Sequence, residues 1–194
     1  PAATVAGNVE TSQCITDAIY GALGIMAASQ GTMNNFTFGD EQYQYYETIA
    51  GGSGAGKIIH EDGSEELFHG TDVVQTHMTN SRLTDPEILE FRYPVVLEEF
   101  SIRHGSGGAG KVSGGNGGTR RIRFLKPMTA SILSNRRRVA PFGALGGKDG
   151  EVGANHVERT NGTVEQLGFS ASTSMQVGDV FVIDTPGGGG YGKA

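Results

Sequence analysis

The sequence predicts an α+β fold: one long N-terminal helix packed on a strand-rich, mostly antiparallel body with glycine-rich loops. Two periodicities indicate this fold: an apolar stripe at helical spacing early in the chain, and period-two runs of β-branched and aromatic residues later. The third observation is glycine, which supplies 32 of the 194 residues, against a typical share of about 7%. We expect one domain over residues 1–194, with a possible internal boundary near 94–118.

The helix is predicted over residues 9–29. Apolar residues recur there at i, i+3, i+4, i+7, i+8 and i+11, which predicts one buried stripe. A second side of the helix carries small residues, against which another backbone could pack closely, and we expect a partner to cover it. The stripe comprises Ile15, Ala18, Ile19, Ala22, Leu23 and Met26, and the small side comprises Gly21, Gly24, Ala27 and Ala28.

Strands are predicted from the helix onward. Residues 42–49 have strand composition, and residues 57–59 and 72–78 are predicted to be two strands around the acidic turn EDGSEE. A short helix, capped by Thr84 or Asp85, is predicted to begin at Pro86 and to end by Tyr93, because a residue that precedes proline disfavours the helical region. The later strand-like runs are VVLEEFSIR, TRRIRFL, MTASIL and DVFVIDT.

Composition excludes several classes of protein. A net charge of −6 argues against a general nucleic-acid-binding protein. No run approaches 18 apolar residues, and no leader-like segment opens the chain, so we expect no membrane association and no secretion. The single cysteine, Cys14, fits a reducing compartment, and we expect a cytoplasmic protein.

Two glycine–lysine segments match the phosphate-loop pattern GxxxxGK, at residues 51–57 and 105–111. Each is followed by an aliphatic residue, Ile58 or Val112, where a phosphate loop needs Ser or Thr to reach magnesium. We therefore expect these loops to turn tightly or to approach another backbone, and not to bind a nucleotide.

A metal site is not predicted. The candidate ligands have no HxH or HxxxH spacing that would place them on one face, so we interpret them as surface and turn residues. They are His60, His69, His77, Asp62 and Asp72.

Several long motifs in a fixed order resemble the hydantoinase B/oxoprolinase family, and within it the ATP-dependent oxoprolinase branch. The motifs are HMTNSRLTDPEILEFRYPVVLEEFSIRHGSGGAGK from residue 77, SILSNRR from residue 131, PFGALGGKDG from residue 141 and TPGGGGYG from residue 185. The chain begins at Pro1 without a methionine, and the family's subunits are much longer. We therefore expect a fragment, the C-terminal part of the hydrolase domain.

The resemblance implies an ATP-dependent cyclic amide hydrolase of glutathione metabolism, which opens 5-oxoproline to glutamate. It implies ATP and a divalent metal for the full-length enzyme, but no cofactor and no catalytic residue in this fragment, which we expect to be inactive alone. The implied partners are a hydantoinase A-like ATP-binding half, on the same chain or on a separate subunit, a small cyclic amide substrate and further copies of the enzyme in a homo-oligomer.

Four residues are predicted to contact the substrate: Glu47, His77, Asn80 and Arg82. An asparagine amide donates and accepts hydrogen bonds, and an arginine binds a carboxylate through two parallel hydrogen bonds. The implied substrate carries both an amide and a carboxylate. Glu47 could orient a water molecule or a ring N–H.

Two groups of arginines, 120–123 and 136–138, are interpreted as ion-pair partners of the acidic excess, with anion binding as the alternative. Cys14 is predicted to be an inert packing residue.

For the chain as a whole, two alternatives stay open: a non-catalytic scaffold or interaction module of the same enzyme, and a hydantoinase or acetone carboxylase-type relative.

Overall fold

A computed structural model describes residues 7–77 and 79–194. A π-helical turn, Gly7–Thr11, leads into helix α1 (Ser12–Ala22), and the second helix, α2, is Pro86–Arg92. Neither described helix has the length and apolar composition needed to cross a lipid bilayer. The strands are β1 (Asn35–Gly39), β2 (Gln44–Thr48), β3 (Gly56–Ile59), β4 (Glu65–Phe68), β5 (Val95–Arg103), β6 (Gly117–Phe124), β7 (Met128–Leu133), β8 (Ala154–Glu158), β9 (Val164–Leu167), β10 (Ser170–Met175) and β11 (Val180–Asp184).

The strands form a four-stranded sheet in the order β10-β7-β1-β2, a five-stranded sheet in the order β5-β6-β11-β8-β9, and the hairpin β3-β4. All of these strand pairs are antiparallel. The two larger sheets share one core, in which the Phe36 and Phe181 ring centroids lie 4.7 Å apart. The predicted α+β class with a mostly antiparallel body is confirmed.

The sequence prediction was right for some elements and wrong for others. The strands β2, β3, β5, β6, β7 and β11 lie where they were expected, and α2 begins at Pro86 with Asp85 as its cap and Tyr93 just beyond its end. The strand predicted at 72–78 is wrong, because β3 pairs instead with β4, which begins within the acidic EDGSEE segment. Residues 72–77 form a turn and an isolated bridge at Val74, and Met78 lies outside the described residues.

The orientation predicted for the first helix is also wrong. Ile15, Ile19 and Leu23 are 54%, 53% and 64% exposed, whereas Gln13 and Asp17 on the opposite face are buried. Helix α1 is also shorter than residues 9–29, since it ends at Ala22.

Hydrogen bonds on the polar face of α1 explain this orientation. Gln13 donates to the Thr76 carbonyl at 2.8 Å and accepts from the Thr76 hydroxyl at 3.0 Å. Asp17 accepts from the Ser29 amide at 3.0 Å. Hydrogen bonds offset much of the cost of burying polar groups, so this face can lie inward, although Asp17 Oδ2 has no hydrogen-bond partner among the described residues.

Three of the four small residues predicted on one side of the first helix are covered by the chain itself, and Gly24 is not. A Cβ on Gly21 would lie 2.7 Å from the Phe142 ring, and Ala27 and Ala28 are buried. The expectation that a partner covers this side is therefore wrong for these residues. The apolar surface that is exposed on the helix is the stripe of Ile15, Ile19 and Leu23.

The four glycine-rich segments pack against one another, and we call them the glycine layer: residues 51–56, 105–118, 143–153 and 187–192. Backbone hydrogen bonds join them, including Ala55 N to Gly189 O at 3.0 Å and Gly108 N to Gly188 O at 2.8 Å. A Cβ on Gly188 would lie 1.9 Å from the Ser53 carbonyl oxygen, so only glycine permits this approach. The expected close backbone approach occurs within the chain.

Candidate functional site

Three residues hold the segment 79–84 against the body. Thr79 Oγ1 accepts from Gln13 at 3.0 Å, the Ser81 hydroxyl bonds to that of Thr48, and the Thr84 hydroxyl donates to that of Tyr45 at 3.0 Å. Of the residues between these anchors, Asn80 and Arg82 are exposed and Leu83 is half-buried.

Asn80 and Arg82 line one open depression of about 330 Å³. Within the described chain, neither side chain makes a hydrogen bond or an ion pair, so both are available to a ligand. Apolar and polar side chains both line it, a combination that is usual for a small-molecule site. The lining residues are Ala50, Val73, Val74, Gln75, Asn80, Ser81, Arg82, Leu83 and Phe100.

Glu47 does not line this depression. Its two carboxylate oxygens accept from Arg120 Nε and Nη2 at 2.7 and 2.8 Å, and both side chains are buried. The Tyr45 hydroxyl also donates to Glu47 at 2.9 Å, and burial, followed by the Glu47 charge, raises the pKa of Tyr45 to about 12. Arg120 in turn lies 5.4 Å from the centre of the Phe100 ring, which forms part of the wall. Glu47 therefore acts on the depression indirectly, because it fixes Arg120, which packs against Phe100 in the wall.

His77 lies at the interface with the first helix. Its Nε2 is 2.7 Å from Asp17 Oδ1, and both side chains are almost fully buried. The backbone of His77 has a φ of 55°, in the left-handed region that non-glycine residues seldom adopt. The structure thus brings Asn80 and Arg82 together, and places Glu47 and His77 among buried partners outside the depression.

The arrangement suits a small ligand that carries an amide and an anionic group. The Asn80 amide presents both a donor and an acceptor, and the Arg82 guanidinium presents parallel N–H groups to a carboxylate. Phe100 and Leu83 supply apolar surface between them. Among the described lining residues, the hydroxyl of Ser81 bonds to Thr48 and no general acid or base accompanies it, so the arrangement is one for binding.

The glycine–lysine segments do not form phosphate loops. Lys57 pairs with Glu65 across the β3-β4 hairpin, and Lys111 is followed by a bridge at Val112 and not by a helix. In the described part of the chain, no three His, Cys, Asp or Glu side chains come together as metal ligands. His60 bonds to Glu66, and His69 bonds to Ser113.

The first arginine group consists of ion-pair partners. Arg120 faces the core with Glu47, while Arg121 faces the other side of β6 and forms two hydrogen bonds with Glu158, at 2.8 and 2.7 Å. Arg123 pairs with Glu98. These contacts agree with the ion-pair interpretation of residues 120–123.

Sequence reasoning missed a buried polar cluster around Glu10. Its carboxylate accepts from the Met33 amide at 2.8 Å and from the side chains of Asn35 and Asn135, each at 2.7 Å. Burial raises the pKa of Glu10, against the opposing effect of these hydrogen bonds. The partners are 23 to 125 residues away in the chain, so no local spacing could have indicated them.

Cys14, nearby on α1, is half-buried, and burial raises the pKa of its thiol, as expected for an inert cysteine.

Comparisons with known proteins agree with this architecture. The chain is 52% identical to the 5-oxoprolinase of Dictyostelium discoideum over 191 residues, which cover 98% of this chain and 14% of that protein. Two solved structures share the fold: nucleotide-free acetone carboxylase, with a TM-score of 0.67 and 18% identity, and the ATP-dependent caprolactamase of Pseudomonas jessenii, with 0.62 and 21%. The matches cover 86% and 87% of this chain, and 26% and 30% of those chains.

The extent of the sequence match decides the assignment. The model of the family described as hydantoinase B/oxoprolinase matches residues 1–194, and the curated relative named above is about half identical over nearly the same span. The chain therefore belongs to the hydantoinase B/oxoprolinase family.

Proposed function

We propose that this chain is the C-terminal part of the hydrolase half of an ATP-dependent 5-oxoprolinase, in which the depression at Asn80 and Arg82 contacts the substrate. The observation that supports this proposal is the pair of exposed side chains, without hydrogen-bond partners among the described residues, on a segment that hydrogen bonds hold to the body. The chain spans 14% of the length of its Dictyostelium relative, which is itself named a 5-oxoprolinase. The activity proposed here is that of the intact enzyme.

The substrate, 5-oxoproline, is a lactam that carries one carboxylate. In the proposed complex, Arg82 binds this carboxylate through paired N–H donors, and Asn80 bonds the lactam amide. The apolar ring lies against Phe100 and Leu83. Two fixed polar contacts orient the lactam carbonyl toward reactive groups supplied by the rest of the enzyme.

The difficult chemistry lies outside this chain. An amide carbonyl is a poor electrophile, and ATP supplies the phosphoryl group that converts its oxygen into a leaving group. Neither glycine–lysine segment has the context of a phosphate loop, so we assign that step to a hydantoinase A-like partner half. The described residues also bring no metal ligand set together, and a divalent metal would be held elsewhere in the enzyme.

Asn80→Ala and Arg82→Ala in the intact enzyme test the proposal. Losing a hydrogen bond to a charged group costs about 1.5–3 kcal/mol, which lowers kcat/KM for 5-oxoproline about tenfold to over a hundredfold. The assay is ATP-dependent glutamate formation, with the melting temperature measured on the same samples. The isolated 194-residue chain is expected to be inactive in this assay.

Matched controls are Gln42→Ala, which removes an exposed amide, and Arg92→Ala, which removes an exposed guanidinium at the end of α2. Both should leave kcat/KM unchanged. If Asn80→Ala and Arg82→Ala kept normal kinetics while lowering the melting temperature, the segment would be a scaffold and the site assignment would fail.

The scaffold alternative has one observation in its favour. The stripe of Ile15, Ile19 and Leu23 is exposed on a helix whose polar face is buried. An apolar helix face of this kind is typical of a surface that another part of an assembly covers. On that hypothesis the chain joins the partner half or another copy in a homo-oligomer and shapes the site without contacting substrate.

A further inference from the structure

A second cavity, of about 470 Å³, opens where the chain leaves β7, and it shares no lining residue with the depression at Asn80 and Arg82. Three consecutive arginines, 136–138, form much of its wall, together with Asn135, Val139 and Phe169. Cys14 completes the lining, and among the described residues no acidic side chain takes part in it. Its volume falls in the range of ordinary small-molecule sites.

Arg137 is held by neutral acceptors. Its guanidinium donates to Asn34 Oδ1 and Asn155 Oδ1, each at 2.8 Å, and to the Asn135 carbonyl, also at 2.8 Å. No carboxylate lies within ion-pair distance of it in the described chain, and burial lowers the pKa of Arg137 to about 10. These contacts fix the orientation of the guanidinium but leave its charge without a counter-ion in contact.

The flanking arginines add to the positive charge. Arg136 Nη1 donates to the Ala140 carbonyl at 3.2 Å, its Nη2 lies 3.7 Å from Asp17 Oδ2, and its buried Nε has no hydrogen-bond partner among the described residues. His77 and the Ser29 amide bond to the other oxygen of that carboxylate, Oδ1. Arg138 is exposed and forms no ion pair within the described chain. The cavity wall thus carries three guanidinium groups and no described carboxylate, while the carboxylates nearest to them, those of Glu10, Asp17 and Asp184, lie outside the lining.

We propose that this cavity binds a small organic anion, whose carboxylate or phosphate oxygens are held by Arg138, with Arg136 adding positive charge beside it, and whose apolar part lies on Val139 and Phe169. Planar guanidinium groups match either oxyanion through paired hydrogen bonds. Val139 and Phe169 are large, exposed apolar side chains at the mouth of the cavity, so they provide a surface for the body of the ligand. Arg137 contributes charge from the wall.

Isothermal titration calorimetry on the intact protein tests this site with three probes of one shape: benzoate, phenyl phosphate and benzamide. The charged probes should bind and the neutral benzamide should not. Arg138→Gln should weaken the binding of the charged probes at least about tenfold, because it removes a charged hydrogen bond from an exposed position without disturbing buried contacts. The tighter of the two charged probes identifies the oxyanion that the site prefers.

Two control variants separate this site from the rest of the molecule. Arg92→Gln, at an exposed position outside the cavity, should leave binding unchanged, and so should Asn80→Ala. The proposal is overturned if benzamide binds as tightly as benzoate, if no probe binds at millimolar concentration, or if Arg138→Gln leaves the affinities within twofold. It also fails if Asn80→Ala, and not Arg138→Gln, abolishes binding, since the probes would then occupy the depression.

Discussion

At the scale of single residues, the polar groups in the interior are held by partners far away in the chain. Glu47 and Arg120 are 73 residues apart and form a two-bonded ion pair in which both side chains are nearly inaccessible to solvent. A pair of this kind adds little net stability, because desolvation offsets the attraction between its charges. Removing one member is costly, since the other charge is left buried and uncompensated.

Glu47→Gln should therefore destabilise the fold by about 3–5 kcal/mol. The loss should be localised, so hydrogen exchange of the intact protein should accelerate most in peptides from β2 and β6. Glu65→Gln is the control, because it breaks the exposed pair with Lys57 and should change exchange little. Equal effects of the two substitutions would show that the Glu47 pair does not hold these strands.

The contacts of Asp40 predict that the stability of the fold depends on pH. Its carboxylate accepts from the amides of Gln42 and Tyr43 and pairs with Lys126, and these interactions, the Lys126 contact first, lower its pKa from 3.8 to about 2. A lowered pKa in the folded state gives stability that is present above the unfolded-state pKa and is lost as the pH falls through the folded-state pKa. Wild-type protein should lose stability between about pH 4 and pH 2.

Urea midpoints measured across that pH interval test the assignment to Asp40. The Asp40→Asn variant should be less stable than the wild type at neutral pH, and the difference should shrink toward pH 2. A difference in stability between the two proteins that stays constant from pH 4 to pH 2 would contradict the assignment to Asp40.

At the scale of elements, helix α1 shows what periodicity can and cannot predict. The spacing of Ile15, Ile19 and Leu23 correctly indicates a two-faced helix. It does not indicate which face lies inward, because that depends on Glu10, Gln13 and Asp17 finding distant hydrogen-bond partners. Strands with strong β-branched content, such as β11, were predictable. The short polar strands β8, β9 and β10 were not, since VEQL or SASTSM has little strand signal alone.

The site divides in the same way. Asn80 and Arg82 are two residues apart, so a shared face in an extended segment follows from the sequence. Glu47 bonds to Arg120, 73 residues away, and His77 bonds to Asp17, 60 residues away. No local sequence pattern indicates either of these contacts. Sequence spacing therefore predicted the surroundings of a residue only where its spatial neighbours are also close to it in the chain.

The orientation of α1 can be tested by comparing its two faces in the 194-residue chain. Gln13→Ala leaves the Thr76 carbonyl and the Thr79 hydroxyl without their donor, and should cost about 1–3 kcal/mol in urea denaturation. Ile19→Ala, on the exposed stripe, should change the unfolding free energy by less than about 0.5 kcal/mol. A larger loss for Ile19→Ala would mean that the stripe faces the core.

At the scale of the whole molecule, the glycine layer joins segments that are far apart in the chain. Its backbones approach so closely that a single added methyl group meets a carbonyl oxygen, as at Gly188 against Ser53. Hydrogen bonds such as Gly115 N to Ser53 O, at 2.9 Å, satisfy the buried peptide groups. The layer therefore depends on glycine for close packing and on its hydrogen bonds for the compensation of buried polar groups.

Gly188→Ala should prevent normal folding, because backbone, and not a flexible side chain, would have to move. Gly168→Ala is the matched control, since its added Cβ would meet only the Ser170 carbonyl, at 3.8 Å. The measurement is the soluble yield and the melting temperature of the two variants. Comparable yields and melting temperatures would show that the layer can open without cost.

The layer also bears on how fast the chain can fold. Residues 51–56 bond to residues 105–118 and 187–190, so the buried arrangement needs three regions that are separated by long stretches of the chain. Glycine loses more backbone entropy on ordering than any other residue, and closing long loops adds to that cost before any contact forms. Folding of this part should accordingly be slow and late compared with the local β3-β4 hairpin. Until residues 187–190 arrive, the other glycine segments lack the backbone donors and acceptors that complete their hydrogen bonding, which leaves them open to water and to proteolysis.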